Sequence, residues 1–182
     1  MNPLTLIGEL LFGAIDPSKY TSSLYPFDLV NPTSWYSIYL SAISSSSKTS
    51  DDAFSKIEMV FDTSVSDIVL PQSLNTTLIS LFTGQVGSNA TLLVQCSLKN
   101  ETSTIDFTVG NGIVISIPIA VFVGEATGTD NMCVSPFSFT EDTKYVFGTS
   151  FLKYIYLVLN TEGSQGAVAQ ASFSNSTSDI SS

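Results

Sequence analysis

The sequence predicts an all-β fold with one or two short helices, and three observations carry that expectation. Short apolar and β-branched runs recur along the chain, separated by Gly, Asn and Ser clusters that read as turns. One segment, residues 72–82, instead spaces its apolar side chains near helical intervals. Charged residues make up 12% of the 182-residue chain against 43% hydrophobic, so Ser, Thr, Asn and Gly must supply most of the polar surface. Such a surface suits a strand-rich extracellular protein better than a helical bundle. A chain of this length buries one good core, or two small ones.

The elements follow in order. Residues 1–12 are apolar enough to suggest a signal sequence, but they hold no basic residue and Glu9 interrupts the run. A strand entering a turn at Gly8, Gly13 and Asp16-Pro17 is expected instead. Strand formers continue over residues 27–30 and 35–43, where Tyr36, Ile38 and Leu40 share one face and Trp35, Ser37 and Tyr39 the other. Large side chains on both faces predict a strand covered on both sides, its aromatics in the core rather than in a ligand site. The Ser-rich run 44–52 has nothing to bury and reads as a mobile exposed loop. It leads into a strand over residues 54–61 that delivers Asp62-Thr63 to a tight loop, and Ile68-Val69-Leu70 resumes the strand pattern before Pro71.

A helix is expected from Gln72 or Ser73 to Phe82, stopped by Gly84. Strands return over residues 92–94, 104–109 and 112–123. The apolar run 113–123 is too short for a membrane helix of about 20 residues, and Pro118 marks a strand edge or a break. Residues 145–159 and 166–173 supply the last strands, and the Ser/Thr-rich residues 174–182 read as a disordered tail.

Composition removes several functions. A net charge of −10 with six Lys and Arg in total argues against nucleic-acid binding, which needs clustered cations on the phosphates. An acidic working pH would relieve the self-repulsion. The chain has no histidine, which eliminates Ser-His-Asp and Cys-His catalysis, and two cysteines do not make the usual zinc site. No metal and no cofactor are expected, and any proton transfer rests on carboxylates, Tyr or Lys. Cys96 and Cys133 read as a structural disulfide in an oxidising compartment, or as two buried thiols in a reducing one. Sequons at Asn75, Asn89, Asn100 and Asn175 would accept glycans on export. On local chemistry, Asp62-Thr63 is an Asx-type turn, and hydroxyls on either side of such a carboxylate favour its ionised form. Gly148 read alone is a strand bulge.

Val60-Phe61-Asp62-Thr63-Ser64-Val65-Ser66, followed by Leu70-Pro71, resembles the second active-site loop of pepsin-family aspartic proteases, where two apolar residues precede Asp-Thr/Ser-Gly and two further hydroxyl residues. Ser64 stands at the glycine and Val65 at a hydroxyl position. Val146-Phe147-Gly148 with Phe151-Leu152 resembles the apolar-apolar-Gly segment that packs behind that loop in the same family, with Thr149 where Asp is common. Residues 8–20 resemble the junction between the two lobes, closest to the fungal yapsin-like group.

The resemblance implies a single pepsin-like lobe, the C-terminal one, with the first lobe absent. Residues 1–30 would form interlobe-type strands and residues 31–173 the lobe. It implies a disulfide between Cys96 and Cys133, Asp62 as one half of a catalytic carboxylate pair, and Thr63, Ser64, Val65 and Gly148 as its supporting loop. Thr63 would tie the two lobes' loops together. Loss of the glycine at 64 and the hydroxyl at 65 is expected to cost about 1–3 kcal/mol in local orientation and to raise the Asp62 pKa.

The implied function is half of an aspartic endopeptidase, inactive as an isolated chain. Its partners would be a peptide or protein substrate and an N-terminal lobe, with no transmembrane segment. The alternatives are a homodimer with a symmetric Asp62 pair, a non-catalytic glycoprotein or binding module, and a decayed remnant. By ancestry the location is the secretory pathway, cell surface or extracellular space.

Overall fold

A computed structural model describes residues 10–30, 35–47, 53–128, 130–160 and 162–173. The fold is mostly β-sheet, as expected, in two sheets. The larger has nine strands in the order β5-β6-β9-β4-β10-β3-β2-β7-β8. These are β2 (Ser37–Ser45), β3 (Ala53–Phe61), β4 (Ile68–Pro71), β5 (Gln85–Val86), β6 (Thr91–Gln95), β7 (Thr104–Val109), β8 (Ile113–Pro118), β9 (Met132–Thr140) and β10 (Tyr145–Phe147). The smaller sheet pairs β1 (Tyr20–Asp28) with β12 (Gln165–Ala171), and β12 with β11 (Ile155–Leu159). Among the described residues, two short helices, α1 (Asn75–Phe82) and α2 (Thr149–Leu152), and several 3₁₀ turns accompany the sheets.

The large sheet curls around an aromatic core. Phe82, Phe107, Phe122, Phe137, Phe147 and Phe151 are all fully buried. Phe107 of β7 and Phe137 of β9 stack with ring centroids 6.4 Å apart. Their strands lie five places apart in the sheet, so a flat sheet would separate them by about 24 Å at the usual strand spacing. The contact therefore requires strong curvature, and the rings fill the space that it encloses. A disulfide joins Cys96, just past β6, to Cys133 on β9.

Several expectations need correction. The Ser-rich run begins inside β2 rather than in a loop: Ser44 and Ser45 belong to the strand and Ser45 is buried. Residues 48–52 of that run lie outside the described residues, as do residues 1–9 and the tail 174–182. Residues 35–43 are not fully covered on both faces, although Ser37 is buried. Ile38, Leu40 and Ile43 are buried, whereas Trp35, Tyr36 and Tyr39 are exposed, so these aromatics are not core.

The strand β9, which sequence reasoning did not anticipate, is central to the sheet. Pro136 interrupts its pattern, but it falls where the pairing with β6 shifts register between Leu93↔Val134 and Thr91↔Ser138, just before the parallel pairing with β4 begins at Phe137. A missing N–H there costs little.

The helix expected over 72–82 is a 3₁₀ turn at Gln72–Leu74 running into α1. Thr83, in the left-handed conformation at φ 49°, ends it. Gly84 serves a different purpose, because a Cβ there would run into the Leu93 carbonyl of β6. Pro118 closes β8, the edge strand of the large sheet, and the Ser116 N–H on that edge donates to Gln170 Oε1 at 3.0 Å. Among the described residues no helix is long and apolar enough to cross a membrane.

Candidate functional site

β3 and β4 are consecutive in the chain but not neighbours in the sheet. β10 lies between them, parallel to β3 (Val146↔Val60, Phe147↔Phe61) and antiparallel to β4 (Val146↔Val69, Phe147↔Ile68). The loop carrying Asp62 must therefore cross the end of β10. Asp62 N–H donates to the Phe147 carbonyl at 3.2 Å, Gly148 N–H to Asp67 at 3.1 Å, Thr149 N–H to Val65 at 2.8 Å and Ser150 N–H to Ser66 at 2.9 Å. Gly148 is buried under this crossing, and a Cβ there would collide with the carbonyl oxygens of Asp67 and Val65. Close approach, not an unusual φ, is what calls for glycine. Phe147 and Phe151 stack at 3.8 Å beneath the loop and anchor it to the core.

The carboxylate of Asp62 is held from two sides. Oδ1 accepts the Ser64 N–H at 3.0 Å and the Ser64 hydroxyl at 2.6 Å. Oδ2 lies 3.5 Å from Lys144 Nζ, with the Asp62 side chain 25% exposed and that of Lys144 45%. The same ammonium sits 4.3 Å from the centre of the Trp35 ring. A concavity of about 260 Å³ next to it is lined by Trp35, Glu58, Val60, Thr143, Lys144 and Tyr145. Glu58 is fixed there by the buried Ser37, whose hydroxyl donates to Glu58 Oε1 at 2.6 Å.

The Ser64 hydroxyl bond, then the Ser64 N–H bond, hold Asp62 below the ordinary carboxylate range; desolvation opposes them, and the Lys144 charge and contact add lesser lowering effects. The direction agrees with the expectation that hydroxyls beside the carboxylate favour its ionised form. Serine in place of glycine keeps the backbone donor and adds a hydroxyl to the same oxygen.

The remaining sequence-predicted residues are placed as follows. Thr63 is exposed at the loop tip, and Val65 is half-buried, engaged through its backbone. Asn89 and Asn100 are exposed, Asn75 is half-buried at the start of α1, and Asn175 lies outside the described residues. Asp142-Thr143 forms an exposed turn leading into β10. Sequence reasoning gave Lys144 no role and took Trp35 as core. The signal for Lys144 was its place immediately before Tyr145-Val146-Phe147-Gly148: once that segment runs parallel to β3, with Tyr145 opposite Met59, residue 144 falls beside Glu58.

Curled sheet and crossing loop together define a single pepsin-like β lobe that presents one carboxylate at its surface. The model of the eukaryotic aspartyl protease family matches residues 1–171, and the chain belongs to that family. It is similar to Rhizopuspepsin-4 of Rhizopus niveus, 29% identical over 91% of this chain and 40% of that protein. Aspartic proteinase 3 of Saccharomyces cerevisiae is 27% identical over 95% of this chain and 32% of its own length. Secreted aspartic protease 9 of Candida albicans is 27% identical over 92% and 33% respectively. The chain thus spans two fifths or less of the length of these relatives.

Proposed function

We propose that this chain is the half of an aspartic endopeptidase that contributes Asp62, with the second carboxylate supplied by a companion lobe. The observation that carries the reading is the crossing loop itself, which presents an ionised carboxylate locked by backbone bonds to β10 and the chain behind it.

Two carboxylates about 3 Å apart cannot both ionise, so one keeps a proton. The ionised member takes a proton from a water, whose oxygen adds to the scissile carbonyl carbon. The protonated member gives its proton to the carbonyl oxygen. Collapse of the resulting diol, with proton transfer to the amide nitrogen, breaks the C–N bond and releases an amine and a carboxylic acid. In this reading Thr63, which is exposed, meets a facing loop of the companion lobe.

The substrate is a peptide or protein, as the name of the family suggests. The Cys96–Cys133 disulfide, the exposed sequons at Asn89 and Asn100 and the similarity to a secreted protease support an exported protein.

The test is cleavage of an unstructured peptide at acidic pH. This chain is assayed alone and together with a first lobe, either fused or separate, each as wild type and as Asp62→Asn. Turnover is expected only with the companion lobe, and is lost in Asp62→Asn. Cleavage that persists in Asp62→Asn overturns the proposal. Turnover by the chain alone, with a dimer in light scattering, would instead favour a symmetric pair of Asp62 residues.

A further inference from the structure

The two oxygens of Asp62 are supported very differently, and the difference assigns a role to a residue remote in sequence. Both donors from the 62–65 turn, the Ser64 N–H and hydroxyl, go to Oδ1. Val65 closes that turn through its N–H to the Asp62 carbonyl at 3.4 Å, and its side chain cannot donate a hydrogen bond. Oδ2 meets the Lys144 ammonium instead. That ammonium is not loosely placed. It rests on the face of Trp35, and its residue immediately precedes β10, whose other end is bonded into the Asp62 loop.

We propose that Lys144 is a positioning residue of the Asp62 centre: seated on Trp35, its ammonium holds the carboxylate oxygen that the 62–65 turn leaves without a side-chain donor.

Building on the proposed acid pair, this fixes the division of labour. With Ser64 on one oxygen and a cation on the other, Asp62 is the ionised member, which deprotonates water, and the shared proton resides on the companion carboxyl. The other charged groups around the loop do not substitute for Lys144. Glu58 on β3 and Asp67 at the end of the loop are anions, as are Glu141 and Asp142 in the turn before Lys144. Glu58 and Asp67 are each engaged by a serine hydroxyl, from Ser37 and Ser66. Trp35, on the approach to β2, contributes a ring and no charge.

The test reads the carboxyl directly, so it does not depend on turnover. Side-chain carboxyl ¹³C shifts of Asp62, assigned with Asp62→Asn, are followed against pH in the full 182-residue chain. In Lys144→Met the Asp62 midpoint is expected to move upward. In Lys144→Met/Val65→Thr, which offers a hydroxyl in the turn, it is expected to move back down. Lys144→Gln, which keeps a neutral donor, should fall between wild type and Lys144→Met, and it stands in if the methionine variant folds poorly. Emission from Trp35, the one tryptophan of the chain, should change with the same midpoint in wild type and lose that step in Lys144→Met.

An unmoved midpoint in both Lys144 variants overturns the inference, as does a shift that Val65→Thr leaves uncorrected. Acid-dependent turnover with an unmoved midpoint would leave the proposed function standing and remove this role. A moved and rescued midpoint without turnover from any lobe pairing would do the reverse.

Discussion

Behind Asp62 and in front of it, the molecule holds the same loop in two different ways. Behind, the contacts are backbone to backbone, from residues 147–150 onto residues 62–67, over stacked and fully buried Phe147 and Phe151. In front, the contacts are side chain to side chain, between Ser64, Lys144, Trp35 and the carboxylate, and they are partly open to water. The back determines where the carboxylate stands and depends on packing density. The front determines which protonation state it prefers and depends on charge and hydrogen bonding. Changes behind should therefore register as stability at any pH, and changes in front as titration and as stability that depends on pH.

The largest effect tests the rear support. Phe147→Ala removes a buried ring from the stack and is expected to cost about 3–5 kcal/mol in urea unfolding. Gly148→Ala comes next. Its methyl meets two carbonyls that are themselves hydrogen-bonded, and the loss should reach or exceed the ~1–3 kcal/mol typical of overpacking. A Gly148→Ala protein as stable as wild type would break the contrast outright.

Ser64→Ala acts in front. It keeps the N–H and removes the strongest cause of the lowered Asp62 pKa, so the carboxyl midpoint in ¹³C titration should rise by more than in Lys144→Met. The sign for stability follows from the depressed folded-state pKa. Asp62 stabilises the fold above its unfolded value, near 3.8, and that contribution is lost as pH falls through the lower folded midpoint. Ser64→Ala should therefore lower stability above about pH 3.8, neutral pH included, and the difference from wild type should vanish as pH falls through the folded midpoint. The smallest effect is the control. Lys153→Met removes a cation near Tyr154, outside the Asp62 loop, and should leave the Asp62 midpoint unchanged and stability within about 0.5 kcal/mol.

The rear half of this arrangement was legible through the family resemblance, since on local pattern alone Gly148 reads as a strand bulge. Two apolar residues before Asp62 and two before Gly148 mark strands that reach the same place, and only a missing Cβ allows them to cross. The front half left weaker marks. Trp35 looks like core in a run of strand formers, and whether its face is covered depends on where the sheet curls, which no neighbouring residue encodes. Lys144 looks like any turn cation until the parallel register of β10 on β3 is known. Ser64 was visible, but as a departure from the family pattern it was counted only as a loss. Its hydroxyl proved to be an added donor. The strand β9 was missed because Pro136 counts against a strand unless the register shift beside it is known.

Trp35 has a practical consequence. As the sole indole of the chain, 53% exposed and seated against Lys144 rather than in the aromatic core, it emits from near-aqueous surroundings in the native fold. Denaturation followed by its fluorescence will look deceptively quiet. Whatever settles beside the carboxylate, in contrast, will change the signal at once, so an ordinary fluorimeter can report occupancy with no label attached.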